Sequence, residues 1–272
     1  MPFLEVDRVS KHYRVGEGEP LKALDNVSLT AESGEWIAIM GPSGSGKTTL
    51  LNILGCLDQP TSGSVRIGAT DLATLRRSDL VRFRAETVGL IFQQYHLIPH
   101  LTALENVMLG IRELSSDGWC WPNGTRGGEN LVDLFLQPRT ASRVERQTRE
   151  RAMEWLRLVG LSNVADTPAG ALSFGQQKLI SFARLLGTDA DVMLLDEPAS
   201  GIDSKWVDQI LGLVAYMREA GKTVCIVEHS IHVVERLADT VFFMELGRIT
   251  AQGTIGELTS NRRLAEVYFG TV

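Results

Sequence analysis

The chain is poor in cysteine, with three in 272 residues. Cys56, Cys120 and Cys225 lie far apart, and no two of them form a CxxC pair. An odd number of isolated thiols does not make a disulfide framework, so the sequence excludes a small disulfide-stabilised domain and suits a reducing compartment. We expect all three side chains to have a structural role.

Long hydrophobic runs are also missing. The apolar stretches 36–40, 88–92 and 192–195 are far shorter than the roughly 20 residues that a membrane-spanning helix needs. Their length is typical of buried strands. Residues 1–7 have neither the basic flank nor the apolar stretch of a signal peptide. We therefore expect a soluble, cytoplasmic protein whose membrane role would depend on a partner.

Positive charge is not in excess. The chain has 27 Lys and Arg against 33 Asp and Glu, a formal net charge of -6. This balance gives no general electrostatic reason to expect nucleic acid or an anionic membrane surface as the main partner. The hydrophobic content of 44% is enough for the core of one large domain, or of one domain with a subdomain.

Alternating strand and helix patterns predict an α/β fold. An apolar strand at 35–40 is followed by a glycine-rich turn and a helical stretch at 47–57, which is the start of a parallel α/β unit. Two further apolar strands, 191–195 and 223–227, enclose a helix that ends at Gly221. We expect a mainly parallel sheet covered by helices, with a small antiparallel β subdomain near the N-terminus.

A more helical region separates these strands. It begins at Thr102 with a capping box closed by Glu105. Its longest helix is predicted to start near Ser142 and to stop at Gly160. The stretch 115–128 is rich in Gly, Ser, Asn and Pro, and we interpret it as a loop or insertion.

The first motif that carries chemistry has the phosphate-loop pattern GxxxxGK[ST]. Backbone N–H groups of such a loop wrap phosphates, the lysine neutralises them and the hydroxyl reaches Mg2+. A glycine turn without a ligand is the alternative, but the motif stands between a strand and a helix, as this chemistry requires. The predicted nucleotide-binding residues here are Gly41, Pro42, Ser43, Gly44, Ser45, Gly46, Lys47, Thr48 and Thr49.

An acidic pair ends the apolar strand at 191–195. Asp196 would hold Mg2+ through its water shell, and Glu197 would face the attacking water. Acidic pairs after strands also occur as solvated turns. Beside a phosphate loop, however, the pair supplies the two groups that nucleotide hydrolysis still needs.

The third motif is Leu-Ser-Phe-Gly-Gln at 172–176. A serine at a helix start offers a hydroxyl and free backbone N–H groups to an anion, although an ordinary N-cap is the alternative. With the two motifs above, this segment resembles the LSGGQ signature of ABC ATPases, placed as in that family shortly before the acidic strand. The resemblance implies that Ser173, Gly175 and Gln176 close over the ATP held by a second subunit packed head to tail.

The resemblance covers essentially the whole chain and implies roles for more residues. Tyr13 corresponds to the aromatic ring that stacks on adenine. Gln93, with its neighbour Gln94 as the alternative, corresponds to the glutamine that senses Mg2+ and the membrane partner. Asp203 belongs to the loop that communicates across the dimer, and His229 corresponds to the histidine that contacts the γ-phosphate.

The resemblance also implies the composition of the working protein. The catalytic residues would be Glu197, His229 and Gln93, and the metal ligands Thr48, Gln93 and Asp196. The cofactors would be ATP and Mg2+. We expect 1–272 to form a single ABC ATP-binding domain of the P-loop NTPase type, with a helical subdomain and insertion at about 98–187.

The implied partners are transmembrane permease subunits and a second copy of the chain or a homologous ATPase. No nucleic acid is expected. Through the permease, the protein would sit peripherally on the inner face of the cell membrane.

Two residues depart from the family pattern. Phe174 replaces the first signature glycine, as in the LSYGQ form of branched-chain amino-acid importer ATPases. Ser230 follows His229 where an aspartate is frequent, which would alter the support of the histidine without removing the imidazole.

The sequence resembles two transporter groups. Residues 51–58 and 92–99 are similar to the macrolide-exporter and lipoprotein-releasing ATPases, whereas the signature, the segment Val-Glu-His at 227–229 and the ending 267–270 are more similar to branched-chain amino-acid importers. We favour the exporter group because its matching stretch includes the loop that would touch the membrane partner. A mosaic of the two groups is the alternative.

Two rival interpretations come from other classes. A soluble ABC-type ATPase acting on DNA or ribosomes would carry long coiled coils or two tandem cassettes, and this chain has one cassette and no heptad arm. A GTPase or nucleotide kinase would leave the signature unexplained. The chain also has no Asn-Lys-x-Asp motif for guanine.

Overall fold

The computed structural model describes residues 2–14, 20–93, 96–111, 113–115, 118–120, 138–201 and 204–260. The strands are β1 Leu4–Tyr13, β2 Leu21–Ala31, β3 Trp36–Met40, β4 Ser62–Ile67, β5 Thr70–Asp71, β6 Val88–Ile91, β7 Glu113–Ser115, β8 Gly118–Cys120, β9 Val192–Asp196, β10 Thr223–Val227, β11 Thr240–Glu245 and β12 Arg248–Gly253. The α-helices are α1 Lys47–Leu54, α2 Arg77–Thr87, α3 Ala103–Met108, α4 Pro138–Leu158, α5 Phe174–Gly187, α6 Ser204–Glu219, α7 Ile231–Leu237 and α8 Ile255–Ser260.

Contacts divide the chain into two compact units. The first comprises Met1–Gln93, Asp191–Ser200 and Val214–Val272, and the second comprises Gln94–Ala190 and Gly201–Leu213. The helical subdomain expected at about 98–187 falls within the second unit. The assignment of 1–272 to one ATP-binding domain stays a prediction.

The first unit is built on a six-stranded sheet in the order β12-β11-β3-β10-β9-β6. Its pairs are parallel except for β12, which runs antiparallel to β11. Every residue of β3, β9 and β10 is buried, as expected for parallel strands covered on both faces. The predicted mainly parallel sheet is therefore confirmed.

A second sheet of four antiparallel strands belongs to the same unit, in the order β2-β1-β4-β5. One buried apolar cluster contains residues of both sheets and of α1, including Leu4, Val27, Ile39 and Leu50. Helix α1 begins at Lys47 as predicted but ends at Leu54, three residues before the predicted end, because the chain turns at Gly55 and Cys56 takes a left-handed φ of 54°. The phosphate loop is thus held between a buried strand and a helix with one buried face.

The second unit is mainly helical, and α3, α4 and α5 contact one another. The capping box at the start of α3 is confirmed, because Thr102 Oγ1 accepts a hydrogen bond from the Glu105 N–H and Glu105 Oε2 accepts one from the Thr102 N–H. Helix α4 begins at Pro138 rather than near Ser142, since proline has the helical φ and needs no N–H partner in a first turn. Gly160, with φ 69°, follows the helix end as predicted.

The stretch 115–128, interpreted as a loop or insertion, overlaps the short hairpin β7–β8, which begins two residues earlier at Glu113. Residues 116–117 and 121–128 of that stretch lie outside the described residues. No helix in the described ranges has the length and apolar character to cross a membrane. Burial raises the pKa of the Cys56 thiol to about 11 and that of Cys225 to about 12, so both thiols are neutral interior groups, in keeping with a structural role.

Candidate nucleotide-binding site

The phosphate loop runs from β3 to α1 and is packed against neighbouring backbone. Gly41 and Gly46 have φ of 144° and 102°, in the region that favours glycine. A Cβ on Gly41 would collide with the carbonyl oxygen of Met244, and one on Gly46 with that of Ala23. Both positions therefore require glycine for conformation and for space.

Ser45 contributes an unsatisfied polar atom to this loop. The residue is 2% exposed, and its Oγ has no hydrogen-bond partner within the described ranges. A buried hydroxyl without a partner costs free energy unless a ligand or water satisfies it. An anionic ligand such as a phosphate at this loop would offer the acceptor that the hydroxyl lacks.

Lys47 lies at the same loop. Its Nζ donates hydrogen bonds to the carbonyl oxygens of Gly41 at 2.9 Å and Pro42 at 2.8 Å. Burial lowers the pKa of Lys47, while Glu197 and Asp196 act in the opposite direction. The ammonium is thus already held at the position where a phosphate would meet it.

Asp196 ends β9 beside the loop, where it is 7% exposed. Burial raises the pKa of this carboxyl to about 6. The negative charges of Glu197 and Glu228 add to the rise, and Lys47 opposes it. Asp196 thus experiences two neighbouring carboxylates and one lysine, which is an environment that favours an added cation.

Glu197 is held in an unusual backbone conformation, with a left-handed φ of 49°. Gln93 Nε2 donates a hydrogen bond to Glu197 Oε2 at 3.1 Å. His229 Nδ1 lies 3.9 Å from Glu197 Oε1. The side chains of three residues that follow β6, β9 and β10 thus converge. Left-handed backbone at a non-glycine residue is typical of functional sites.

These residues share one cavity of about 610 Å³. Its wall includes the following residues predicted from the sequence: Tyr13, Gly41, Ser43, Gly44, Gly46, Lys47, Thr48, Thr49, Gln93, Asp196, Glu197 and His229. Pro42 and Ser45 belong to the loop without being part of this lining. Leu21, Lys22, Ala23 and Val227 also line the cavity, and no sequence motif marked them.

Tyr13 lines the cavity, and its hydroxyl is held by a hydrogen bond. It donates a hydrogen bond to Asp58 Oδ2 at 2.7 Å, and Lys11 Nζ lies 5.0 Å from the ring centroid. Burial, followed by the hydrogen bond to Asp58, raises the pKa of Tyr13. The ring is therefore a neutral, oriented aromatic surface of the kind that a base stacks on.

The signature segment forms the start of α5 in the second unit. Ser173 is the N-cap, its Oγ accepts a hydrogen bond from the Gln176 N–H at 3.4 Å, and Gln176 Oε1 accepts one from the Ser173 N–H at 3.0 Å. A Cβ on Gly175 would lie 2.8 Å from Trp206 Nε1, so this glycine allows close packing. Ser173, Gly175 and Gln176 are not part of the cavity lining.

Two sequence-based assignments fall outside the described residues. They are Asp203, assigned to the loop across the dimer, and Gln94, the alternative to Gln93. Their roles stay predictions.

Mg2+ fits the donor set of the cavity. Thr48, Gln93 and Asp196 offer oxygen donors, which Mg2+ prefers, and Mg2+ is commonly bound by one or two protein groups together with substrate phosphates. No group of three or more His, Cys, Asp or Glu side chains suited to a metal ion occurs among the described residues. Mg2+ here would therefore depend on the nucleotide for further ligands.

Comparison with known proteins also indicates an ABC transporter protein. The family model described as ABC transporter matches residues 24–200. The chain is 39% identical over 232 residues to the macrolide export ATP-binding/permease protein MacB of Burkholderia thailandensis, covering 85% of this chain and 31% of the relative. It is 40% identical over 228 residues to MacB of Salmonella typhimurium, covering 84% of this chain and 31% of that relative. The chain thus spans about a third of the length of these relatives.

Solved structures extend the likeness to the whole fold. The dimeric post-hydrolysis structure of the ATP-binding cassette MJ0796 bound to ADP and Pi matches with a TM-score of 0.75 and 34% identity, covering 93% of this chain and 98% of the other. The ADP conformation of MJ1267, an ATP-binding cassette of an ABC transporter, matches with a TM-score of 0.76 and 28% identity, and both chains are fully covered. Because the family model also covers more than half of the sequence, the chain belongs to the ABC transporter family, as an ATP-binding cassette with ATPase activity.

Proposed function

We propose that this chain binds Mg-ATP in the cavity of its first unit, hydrolyses it with Glu197, and works as a head-to-tail pair to drive a permease of the macrolide-export type. The observation that carries the proposal is the cavity itself. It brings the phosphate loop, Gln93, Asp196, Glu197 and His229 together in one wall, although they come from distant parts of the sequence.

Nucleotide binding would be divided between two kinds of contact. Tyr13 offers its ring to the base, and the loop from Gly41 to Thr49 offers backbone N–H groups and the Lys47 ammonium to the phosphates. The Ser45 hydroxyl, which has no hydrogen-bond partner among the residues that the structure describes, supports the placement of an anionic ligand at this loop. Such binding combines a base contact that tolerates different bases with a strong phosphate contact.

The metal would be held by Thr48, Gln93 and Asp196. When bound, Mg2+ neutralises charge that develops on the transferred phosphoryl group. The raised pKa of Asp196 supports this assignment, because an added cation relieves the crowding of carboxylates that contributes to the rise.

Hydrolysis would depend on Glu197 as the group that polarises the attacking water. Gln93 and His229 lie on either side of this carboxylate, at 3.1 Å from Oε2 and 3.9 Å from Oε1. They limit the orientations of the carboxylate and leave it facing the cavity that Lys47 also lines. His229 would itself contact the γ-phosphate.

The signature supports a two-subunit arrangement. Ser173 and the first turn of α5 present a hydroxyl and helix N-terminal N–H groups, a second anion site on the same chain. We assign it to the nucleotide of a second copy, and Asp203 to the contact between the copies. The similar cassette MJ0796 has a dimeric structure, which supports this assignment.

The export direction is favoured by relatives that are named as macrolide export ATP-binding/permease proteins. In this proposal the cassette attaches to permease subunits at the inner face of the membrane. To test this step, the chain is mixed with the purified membrane region of a MacB relative. Co-purification and stimulated ATP hydrolysis are expected, and failure of both would reject this partner without affecting the ATPase assignment.

The catalytic and dimer assignments are tested on the isolated chain with Glu197→Gln. We expect ATP to stay bound while turnover falls by about 10² to 10⁴-fold, and light scattering to show a doubled mass with Mg-ATP. Adding Ser173→Arg should return the protein to a monomer. Glu219→Gln, an exposed carboxylate change on α6, is the matched control and should behave as wild type.

Two outcomes would contradict the proposal in different ways. Wild-type turnover in Glu197→Gln would remove Glu197 from catalysis. A Glu197→Gln protein that retains ATP but stays monomeric at high concentration would contradict self-association of the isolated cassette.

A further inference from the structure

Glu228 follows β10 and is a buried acid to which neither the family motifs nor the proposed mechanism gives a role. It is 1% exposed, against 7% for Asp196. Burial of a carboxylate is costly unless hydrogen bonds or charges compensate it. Its surroundings therefore indicate what the side chain does.

Both oxygens of Glu228 accept backbone hydrogen bonds. Oε1 accepts one from the Ala199 N–H at 3.0 Å. Oε2 accepts one from the His229 N–H at 3.1 Å and another from the Ser230 N–H at 3.4 Å. The carboxylate thus connects two separate chain segments, one after β9 and one after β10.

The segment after β9 is the turn that carries Glu197. The Glu197 N–H donates to the Val227 carbonyl at 2.9 Å, and the Ser200 N–H donates to the Glu197 carbonyl at 3.1 Å. Glu197 itself has the left-handed φ of 49°. Such a backbone persists only where the surroundings hold it, and the bond from Ala199 to Glu228 is one of the contacts that do so.

The segment after β10 carries His229. Glu228 supplies the acidic side chain that holds this loop, through the N–H groups of His229 and Ser230. The titratable groups near it include the carboxylate of Asp196, whose pKa Glu228 raises, and the imidazole of His229, whose Nδ1 lies 4.0 Å from Glu228 Oε2.

We propose that Glu228 is a positioning residue for ATP hydrolysis, which fixes the turn of Glu197 to the loop of His229 and so sets the separation of their side chains. The proposal rests on the roles proposed above for Glu197 and His229. A carboxylate suits the task because both of its oxygens only accept hydrogen bonds. A glutamine would present an NH2 group to the N–H groups of one segment. Two donors cannot form a hydrogen bond, so that segment would lose its contact with residue 228.

The test is Glu228→Gln in the full chain. We expect kcat to fall by about 10- to 100-fold, since small misplacements of reacting groups have effects of this size, while KM and the affinity for a fluorescent ATP analogue stay within about twofold of wild type, because substrate binding is then little changed. Glu228→Asp keeps the two acceptor oxygens on a shorter arm and should lie between wild type and Glu228→Gln. Glu219→Gln serves again as the control.

A double variant separates positioning from general damage. If Glu228 acts through Glu197, then Glu228→Gln should add little further loss of kcat in a Glu197→Gln background, because residues that act as a unit are not additive. An additive loss would overturn the proposal. Wild-type kcat in Glu228→Gln would overturn it as well.

The remaining outcomes are also decisive. If both Glu228 variants lose nucleotide binding or their thermal transition, the residue is structural and the proposal is wrong. If Glu197→Gln alone keeps wild-type turnover, the catalytic role of Glu197 in the proposed function is rejected, and the positioning role that rests on it is rejected with it. An inactive Glu197→Gln beside a fully active Glu228→Gln refutes only the positioning role.

Discussion

The hydroxyl of Tyr13 donates to Asp58 Oδ2 at 2.7 Å, while Asp58 Oδ1 accepts from Lys11 Nζ at 2.5 Å. Asp58 lies shortly after α1, the helix that begins with Lys47. The side chain proposed to bind the base is therefore anchored to the segment that follows the phosphate-loop helix. Burial opposes the ionisation of Asp58, but hydrogen bonds from Lys11 and Tyr13 leave its pKa below the usual value.

Replacing the Tyr13 ring should weaken ATP and GTP alike. Stacking is worth roughly 1 to 3 kcal/mol per base and tolerates different bases, so Tyr13→Ala should raise the Kd of both nucleotides by about 5- to 150-fold. Fluorescence titration with analogues of both nucleotides measures this. Tyr13→Phe keeps the ring and loses only the bond to Asp58, so it should show a smaller effect, and equal affinities in all three proteins would remove Tyr13 from the site.

Removing the loop lysine should abolish ATP binding and hydrolysis. Lys47→Ala leaves the charge of the phosphates uncompensated in a site built around a cation. Calorimetric titration with ATP checks the loss. Lys22→Ala removes another lysine from the cavity wall but outside the loop, and it should retain most of the affinity. Near-normal binding by Lys47→Ala would refute the assignment.

The raised pKa of Asp196 predicts a pH dependence of stability. Because the folded-state pKa is about 6 against an ordinary value of 3.8, the folded protein binds the extra proton between these values. The raised pKa of Asp196 therefore favours the folded state at low pH, and this stabilisation is lost as pH rises through about 6. Without Mg-ATP, Asp196→Asn should lose less stability than wild type between pH 4.5 and pH 7.5.

Thermal unfolding across that pH range measures the difference. Asp191→Asn, an exposed change next to the same strand, controls for loss of a negative charge and should follow wild type. Mg-ATP should then stabilise wild type more than Asp196→Asn. Parallel curves for wild type and Asp196→Asn without nucleotide would contradict the assigned environment.

The aromatic residue of the signature and a downstream glycine should be energetically coupled. Phe174 is 52% exposed, and a Cβ on Gly201 would lie 3.2 Å from Phe174 Cε1. Gly201 also has a φ of 69°, which is unfavourable for alanine. Gly201→Ala should therefore destabilise the protein, and should do so less in a Phe174→Ala background, where the ring is gone but the backbone strain remains.

Urea unfolding of the two single variants and the double variant measures this coupling. We expect an interaction of about 0.5 kcal/mol or more, as found for residues in contact. Strictly additive changes would show that the ring does not select glycine at position 201.

The sequence predicted the parts of the site that local spacing specifies. The phosphate loop and the pair Asp196–Glu197 need only a strand, a turn and a helix in order. Gln93 and His229 came from the family resemblance, and the structure shows why both lie near Glu197. Strands β6, β9 and β10 are parallel neighbours, and their carboxyl ends lie at one edge of the sheet.

Other parts of the site carried no local signal. Asp58 meets Tyr13 across 45 positions, and Glu228 meets Ala199 across 29. Both are single acids whose partners are decided by tertiary packing. Leu21 and Ala23 line the cavity through ordinary strand pairing of β2 with β1. The predicted start of α4 was wrong because a serine four positions later offered a plausible cap.

Where the phosphate loop packs against neighbouring backbone, the loop positions and their neighbours differ in which amino acids they allow. Gly41 and Gly46 press against carbonyl oxygens of Met244 and Ala23, and every amino acid has such an oxygen. The carbonyl contact therefore does not itself select the side chain at position 23 or 244, although Met244 is fully buried and its Cε would lie 3.5 Å from a Cβ on Gly46. The glycines are selected directly, because any Cβ at position 41 or 46 meets a backbone oxygen that no side-chain change in the neighbour removes.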